Sequence, residues 1–234
     1  MSAVLAADRF DAAATLQDVL NTTAQDFEIR PLPRDAGAVG NLGAEVLGLD
    51  LSQPILQEDF ERLQQAHWKH HVLVFRDQRI TPAQQVAFSR LWGALQIHVL
   101  HQFQLPGYPE ILQVSNVRNA QGQPEGLGDA GLLWHSDLSY KEKPSLGSLL
   151  HAQELPSEGG DTLFADQHAA YDALPQALKK QLEGLQAEHS YLLHYEALRA
   201  KSPWRPKLTQ QQIDEVMEMT QITDMKQRLI RNLS

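Results

Sequence analysis

The sequence predicts one α+β domain that is mainly β, with helices flanking short strands. Segments rich in β-branched and aromatic residues alternate with segments of helical period. The chain of 234 residues is 42% hydrophobic and 21% charged, as is typical of a globular domain with a substantial core. It contains neither an internal repeat nor a low-complexity tract, so one domain is the simplest expectation.

The first elements are a helix and two strands. Residues 1–26 predict a helical extension, because apolar side chains recur on one face. That face carries Leu5, Phe10, Leu16 and Leu20. Strands are expected at 27–32 and 44–51, separated by a glycine-containing turn at 37–43.

Two helices and a buried strand follow. Residues 58–70 have helical spacing through Phe60, Leu63, Ala66 and His67. Residues 72–75 predict a buried strand, because four consecutive apolar residues leave no polar face. Thr81-Pro82 begins the next helix, with Thr as the cap and Pro in the first turn. The apolar side of that helix is Val86, Phe88, Leu91 and Trp92.

The rest of the chain predicts short strands, a loop and more helix. Strands are expected within 96–117, with Ile111, Leu112 and Val114 in the core, and again at 146–155. Residues 119–131 are rich in glycine and predict a mobile loop, either a lid over a site or a plain surface loop. Helices are expected at 175–185, 192–199 and 209–230.

The stretch Trp134-His135-Ser136-Asp137 carries the strongest chemical signal. In an extended chain, residues i and i+2 point to the same side, so His135 and Asp137 can bind one ion. A second His from elsewhere would complete the two-His, one-carboxylate face of a non-haem Fe(II) oxygenase, which leaves positions open for cosubstrate and O₂. We interpret Trp134 as a packing wall that fixes the adjacent His.

A second motif lies at Glu158-Gly159-Gly160-Asp161-Thr162. The paired glycines permit a tight turn and close backbone approach, and Thr162 offers a hydroxyl to an anionic oxygen. An ordinary hairpin turn is the alternative interpretation.

With these motifs in order, the chain resembles the taurine and 2,4-D (TauD/TfdA-like) dioxygenase family of Fe(II)/2-oxoglutarate enzymes. The resemblance covers most of the length, through residues 27–32, 43–51, 72–78, 134–137, 154–162, 169–174 and 187–189. It implies a double-stranded β-helix, or jelly roll, with flanking helices. It also implies that His135 and Asp137 bind Fe(II), that Thr162 hydrogen-bonds 2-oxoglutarate, and that His98 faces the substrate. For His98, packing is the alternative role.

The resemblance fades after residue 215, where family members continue with strands that carry a distal metal-binding His and an Arg for 2-oxoglutarate. We therefore expect a chain that is truncated or frame-shifted relative to its kin. It would divide into an extension at 1–26, a partial jelly roll at 27–215 and a divergent helical tail at 216–234. A jelly roll without its last strands exposes unpaired edges, which favours aggregation or completion by another chain.

Other histidines are weaker candidates for the third metal ligand. The options within the chain are His151, His168, His189 and His194, and none matches the family's distal position. His67, His70 and His71 have chelating spacing on a helix but no carboxylate beside them, so structural roles are expected. His194-Tyr195-Glu196 repeats the His-x-carboxylate spacing, but in a helix residues i and i+2 diverge.

Composition limits the compartment and the partners. The chain has no Cys, so His, Asp and Glu are its only strong metal ligands. Its net charge of −9, with scattered basic residues, argues against a nucleic-acid surface, and no apolar run is long enough for a membrane span or a signal core. We expect a cytoplasmic protein, with self-association compatible with the resemblance.

The functional expectation is an Fe(II)/2-oxoglutarate-dependent dioxygenase of the taurine dioxygenase type. Its partners would be O₂ and a small anionic organic substrate, a sulfonate such as taurine or a related compound, with release of succinate and CO₂. Sulfate esters and aryloxyacetates are substrates of relatives, so the substrate is left open. The alternative is an inactive remnant, or an interaction protein that retains part of the fold.

Overall fold

A computed structural model describes residues 24–33, 42–131 and 134–219. The chain forms two compact units, one made of Met1–Leu91 with Leu163–Lys179 and the other of Trp92–Thr162 with Lys180–Ser234. Residues 1–23 of the helix predicted at 1–26 lie outside the described residues. Residues 220–230 of the helix predicted at 209–230 also lie outside them. Most of the predicted turn at 37–43 does so as well.

A three-stranded sheet organises the first unit. Strands β1 (Glu28–Pro31), β2 (Ala44–Leu47) and β3 (Leu73–Phe75) lie in that order, with β1 antiparallel and β3 parallel to β2. The three predicted strands are confirmed, but β2 ends at Leu47, and β3, predicted to be buried, is only partly buried. Strand β2 ends before Gly48, which has φ +91°. Gly48 lies against the residues that precede β1, where an added Cβ would be 2.8 Å from the Asp26 carbonyl oxygen.

The two helices predicted beside this sheet are confirmed as α1 (Gln57–His70) and α2 (Pro82–Leu91). Helix α1 buries Phe60, Leu63 and Ala66. Helix α2 begins with a reciprocal cap, in which the Gln84 amide N–H donates to Thr81 Oγ1 and the Thr81 amide N–H donates to Gln84 Oε1. The predicted apolar side of α2 is wrong at its end, because Leu91, the last residue of the helix, is exposed.

The exit of α1 explains its histidines. His71 has φ +61°, and its amide N–H donates to the His67 carbonyl at 2.7 Å, which closes the helix. The His71 ring stacks on His168 with centroids 6.0 Å apart, and His70 is buried. These contacts are structural, as expected. Helix α3 (Gln167–Asp172) precedes α4 (Gln176–Leu182), which confirms the helix predicted at 175–185.

The second unit contains a small hairpin and two helices. A 3₁₀ turn at His101–Phe103 leads into β4 (Gln104–Leu105), which pairs antiparallel with β5 (Tyr108–Leu112). Helices α5 (Tyr191–Lys201) and α6 (Gln210–Met219) follow. The core cluster is Val99, Leu100, Phe103, Leu127, Tyr195 and Val216. Val114 was expected in this core but is 52% exposed, because it lies beyond the end of β5.

Helix α6 is anchored in the core of the second unit. Val216 and Met217 are buried, and Gln212 Nε2 donates to the Val99 carbonyl at 2.7 Å. Glu215 also contacts His101, with 3.3 Å between Oε2 and Nε2. The helix runs through residue 215 without a break, although the predicted domain boundaries remain a prediction.

The glycine-rich segment at 119–131 is packed, which argues against the predicted mobile lid. Leu127 and Asp129 are buried, and Asp129 pairs with Arg205. A Cβ at Gly126 would lie 2.8 Å from Ser115 Cβ and 2.9 Å from the Ser115 amide nitrogen, so the backbone approach requires glycine.

The strand predicted at 146–155 is wrong for this structure. Residues 142–165 form no regular element and no backbone hydrogen bond within the described part of the chain. Alternating apolar residues make a strand only when a neighbour pairs with their amides and carbonyls. The α+β class is thus confirmed, but helices hold more of the described residues than strands do, unlike the mainly β expectation. None of the described helices could cross a membrane.

Candidate metal centre

The structure brings His135 and Asp137 together. His135 Nε2 lies 3.3 Å from Asp137 Oδ1, and both side chains are half exposed. The pair precedes a turn in which Leu138 has φ +53°, so the chain bends away immediately after the carboxylate. The i and i+2 side chains therefore share one side, as the spacing predicts, whereas their role as ligands remains a prediction.

Two serines contact Asp137, one at its carboxylate and one at its backbone carbonyl. The Ser148 hydroxyl makes a short hydrogen bond to Asp137 Oδ2, and Ser145 Oγ lies 3.5 Å from the Asp137 carbonyl oxygen. Because Oδ2 is engaged by Ser148, Oδ1 is the oxygen directed toward His135. Hydrogen bonds to the carboxylate oxygen that does not face the metal orient metal-binding carboxylates.

The spacing of the two atoms fits one metal ion. Ligand atoms about 2.1 Å from an octahedral ion and at right angles to each other are about 3 Å apart. The observed 3.3 Å is close to this value. An imidazole nitrogen and a carboxylate oxygen are also the donor types of non-haem Fe(II) sites. The pair therefore fits a divalent ion as two adjacent ligands.

His98 is held as a neutral imidazole. Burial lowers its pKa to about 4, with Arg205 and His101 acting in the same direction and the Asp137 charge opposing them. The Leu100 amide N–H donates to His98 Nδ1 at 3.1 Å, so the ring proton is on Nε2. His98 is thus placed to donate one hydrogen bond from Nε2 near neutral pH.

Aromatic rings surround His98. Tyr191 packs edge-on against His98 with centroids 6.2 Å apart, and it lies 5.0 Å from Tyr140 and 5.7 Å from Tyr195. Burial, assisted by the Asp137 charge, raises the pKa of Tyr140 to about 12. The Tyr191 hydroxyl is buried and has no hydrogen-bond partner in the described residues, and burial raises its pKa as well. The site is therefore flanked by an apolar aromatic cluster.

The tight turn predicted at the paired glycines is not formed, because residues 157–162 contain only a bend and no backbone hydrogen bond in the described chain. Gly159 and Gly160 both have positive φ, +74° and +77°, which only a glycine pair adopts readily. Thr162 is exposed and makes no hydrogen bond within the described ranges. Its role toward 2-oxoglutarate stays a prediction.

No third ligand joins the pair among the described residues, which contain no group of three or more His, Asp or Glu able to hold a metal. Of the four candidates, His151 Nδ1 contacts the Gln153 amide at 2.8 Å and His189 Nδ1 contacts Ser139 Oγ at 3.0 Å. His168 stacks in the first unit, and His194 is exposed on α5.

Two further expectations at this site concern Glu196 and Trp134. Glu196 pairs with Arg199 rather than His194, as the helical geometry of α5 predicts. Trp134 is 70% exposed, so the interpretation of it as a packing wall is wrong. The cause is the absence of a neighbouring element against which its ring could lie, since the stretch around it has no strand partner in the described chain.

Sequence reasoning missed the residues that support the site. Ser148, Tyr140 and Tyr191 belong to no motif that the sequence analysis singled out. The hydrogen bond from Ser148 to Asp137 could not be predicted from sequence spacing alone. It depends on how residues 138–147 fold, beginning with the turn at Leu138.

Comparison with known proteins identifies the family. Residues 28–224 match the family described as Taurine catabolism dioxygenase TauD, TfdA family. Because this match covers most of the chain, the protein belongs to that family. The sequence resemblance is thereby confirmed.

Individual relatives agree with this assignment. The chain is 38% identical to the alpha-ketoglutarate-dependent 2,4-dichlorophenoxyacetate dioxygenase of Cupriavidus pinatubonensis, over 62% of this chain and 54% of that protein. It is 30% identical to an alpha-ketoglutarate-dependent sulfate ester dioxygenase of Pseudomonas putida, over 68% of this chain and 50% of that protein. The chain thus spans about half the length of the curated relatives it matches.

A solved structure shares the fold. AAD-2, crystallised with Mn(II) and N-oxalylglycine, superimposes with a TM-score of 0.54 at 32% identity, over 74% of this chain and 56% of that one. The similarity supports a common fold for the part of the chain that aligns.

Proposed function

We propose that this protein is an Fe(II)/2-oxoglutarate-dependent dioxygenase that hydroxylates a small anionic organic compound, with O₂ as oxidant and succinate and CO₂ as products. The observation that carries the proposal is the 3.3 Å approach of His135 Nε2 and Asp137 Oδ1, with the second Asp137 oxygen held by Ser148, in a chain of this family. A jelly roll is the proposed scaffold. We place the protein in the cytoplasm.

His135 and Asp137 would hold the metal as adjacent ligands. When bound, the iron supplies the oxidising chemistry that protein side chains lack. The Ser148 hydroxyl would keep Asp137 Oδ1 available to the ion, and Thr162 would donate its hydroxyl to a carboxylate oxygen of 2-oxoglutarate. These are orienting and binding roles, which set geometry without transferring protons.

His98 would bind the substrate. Its neutral ring can donate from Nε2 to an anionic oxygen, and its burial strengthens that hydrogen bond. Tyr140 and Tyr191 form an apolar wall beside it, which suits the carbon body of an organic acid and limits water. A sulfonate such as taurine, a sulfate ester and an aryloxyacetate share these features, and relatives named for two of these classes support the anionic class.

The test is an anaerobic titration of the full chain with Fe(II) and 2-oxoglutarate, followed by visible absorption. We expect saturable binding and a weak visible charge-transfer band for the native chain, and loss of both in Asp137→Ala. His194→Ala, which removes an exposed His on α5, is the matched control and should leave both unchanged. Absence of the band in the native chain would refute the proposed role of the pair.

A second candidate function is a non-catalytic interaction protein that retains part of the fold. It is favoured by the lack of a third metal ligand among the described residues and by the half exposure of His135 and Asp137. Two ligands hold a divalent ion weakly. Under this alternative, added 2-oxoglutarate and Fe(II) produce neither the band nor succinate.

A further inference from the structure

Tyr191 has a buried hydroxyl that the described chain does not satisfy. The residue begins helix α5, and its hydroxyl oxygen is closed to solvent without a hydrogen-bond partner among the described residues. A hydroxyl that loses water and gains no partner destabilises the folded chain. Such groups are rare in folded proteins, and each calls for a physical reason. The Tyr191 hydroxyl is therefore a candidate donor to a bound ligand.

Tyr195, one turn further along α5, provides a direct comparison. Its ring stacks on Tyr191 with centroids 5.7 Å apart, and its hydroxyl donates to the Pro206 carbonyl at 2.9 Å. The two tyrosines thus lie on one face of the same helix, but the fold satisfies only the hydroxyl of Tyr195. If Tyr191 served packing alone, its ring would suffice and a Phe would fill the position without burying an unpaired hydroxyl.

The Tyr191 ring lies beside groups of the candidate metal centre. It packs edge-on against His98 with centroids 6.2 Å apart and against Tyr140 with centroids 5.0 Å apart. The Asp137 charge acts on both His98 and Tyr140, so these rings lie within electrostatic reach of the carboxylate. A ligand that accepts a hydrogen bond from His98 Nε2 would therefore lie close to Tyr191.

The charges around Tyr191 favour an anionic acceptor. Burial raises the pKa of the Tyr191 hydroxyl, so near neutral pH it keeps its proton and donates. The Arg205 charge favours the ionised form of Tyr191 and the neutral form of His98, which indicates a positive contribution to the potential at both rings. The Asp137 charge opposes that contribution at His98, and a bound divalent ion would offset it. Two neutral donors in such surroundings suit one oxyanion.

We infer that the Tyr191 hydroxyl is a specificity-determining donor, which binds the carboxylate or sulfonate head group of the substrate together with His98 Nε2. The inference rests on the proposed function, because it takes His98 as a substrate-binding residue. The hydroxyl is covered in the structure, so a ligand reaches it through a side-chain shift of the kind that binding commonly produces. Tyr140, which is partly buried and follows Asp137 closely in the chain, is the neighbouring ring that such a shift would move.

The experiment compares Tyr191→Phe with Tyr195→Phe in the full chain, in buffer with EDTA. Urea unfolding without ligand gives the midpoint, and calorimetry gives the Kd of two probes, 2,4-dichlorophenoxyacetate and taurine. Tyr191→Phe removes an unsatisfied hydroxyl, so its midpoint should equal or exceed the native one, whereas Tyr195→Phe loses a hydrogen bond and should unfold at lower urea. Tyr191→Phe should raise the Kd of a probe by about tenfold to a hundredfold, and Tyr195→Phe by less than about twofold.

Three results would overturn the inference. One is that Tyr191→Phe binds the probes as the native chain does, including the case in which neither probe binds the native chain. Another is a lower urea midpoint in Tyr191→Phe, which would show that the fold satisfies the hydroxyl. The third is equal weakening of binding by Tyr195→Phe. The visible band of the Fe(II) titration tests the proposed function separately. Because EDTA removes any metal from the calorimetry, a chain that gives the band but binds the probes unchanged in Tyr191→Phe refutes only this inference.

Discussion

Asp129 and Arg205 form a buried, two-pronged ion pair in the second unit, with Arg205 Nε and Nη2 donating to Asp129 Oδ2 and Oδ1 at 2.7 and 2.6 Å. Arg205 also lies over the rings of Tyr195 and Trp204. The pair joins the glycine-rich segment before His135 to the segment between α5 and α6. It therefore ties residues 129 and 205, which are 76 positions apart, together in the core of the second unit.

Removal of one partner of this pair should be strongly destabilising. Asp129→Ala leaves the Arg205 charge buried without its counterion, and the expected loss in the free energy of unfolding is about 3–5 kcal/mol. Glu196→Ala breaks an ion pair whose carboxylate is exposed and should cost at most about 1 kcal/mol. Urea unfolding of the two variants measures the difference, and equal losses would contradict the structural role.

The same carboxyl predicts acid sensitivity. Burial by itself would raise the pKa of Asp129, but hydrogen bonds from Arg205 and Ser202 and the Arg205 charge outweigh it and hold the pKa below its usual value. Its stabilising contribution is present above the unfolded-state pKa of about 3.8 and is lost as the pH falls through the lower folded-state value.

His98 should make stability depend on pH at milder acidity. Its folded-state pKa of about 4 is below the ordinary 6.5, so the unfolded chain binds the proton more tightly. The contribution of neutral His98 to the free energy of unfolding is fully present above about pH 6.5. It declines as the pH falls toward 4, by on the order of 2–3 kcal/mol. His98→Asn should flatten this decline in metal-free unfolding curves measured across that range. If His98→Asn leaves the pH dependence of stability unchanged, or if His194→Asn flattens it equally, the pH dependence does not come from His98.

Ser148 should affect metal affinity without contacting the metal. Ser148→Ala frees Asp137 Oδ2, so the carboxylate can rotate, and Fe(II) affinity should fall by about 10- to 100-fold. Ser139→Ala removes a hydroxyl that contacts His189 instead and serves as the control. Anaerobic titration gives both constants, and equal affinities would show that Ser148 does not orient the ligand.

Gly126 should be the least replaceable glycine of its loop. In Gly126→Ala the new Cβ would lie under 3.0 Å from two Ser115 atoms, one of them backbone, so the chain must shift. We expect a loss of about 2 kcal/mol or more. Gly131→Ala meets no neighbour, and its positive φ costs about 1–2 kcal/mol. Thermal unfolding compares them, and a milder effect at Gly126 would refute the close packing.

Local signals allowed much of the fold to be predicted. Helix α2 was predicted from Thr81-Pro82, and its cap forms within four residues, so no distant contact is needed. The strand at 146–155 could not be judged in this way, because a strand exists only where another chain segment pairs with it. The His135–Asp137 contact was also predictable, because the two residues are only two positions apart in the chain and no distant segment is needed to bring their atoms together.

The supporting residues depend on distant segments. Asp129 and Arg205 are 76 positions apart, and Gln212 reaches Val99 across 113. No periodicity or spacing marks such contacts, which arise only when the core of the second unit assembles. The loop at 119–131 was therefore interpreted as mobile from its glycines, although Leu127 and Asp129 anchor it.

The exposure of Trp134 gives the molecule an intrinsic optical reporter. Its indole is open to solvent and adjoins His135 in the chain, so a paramagnetic ion captured by that imidazole would quench its emission at short range. Three other tryptophans contribute a constant background, which a Trp134→Phe difference spectrum removes. Occupancy of the centre is thereby readable as a change in light from the protein itself, without an added dye.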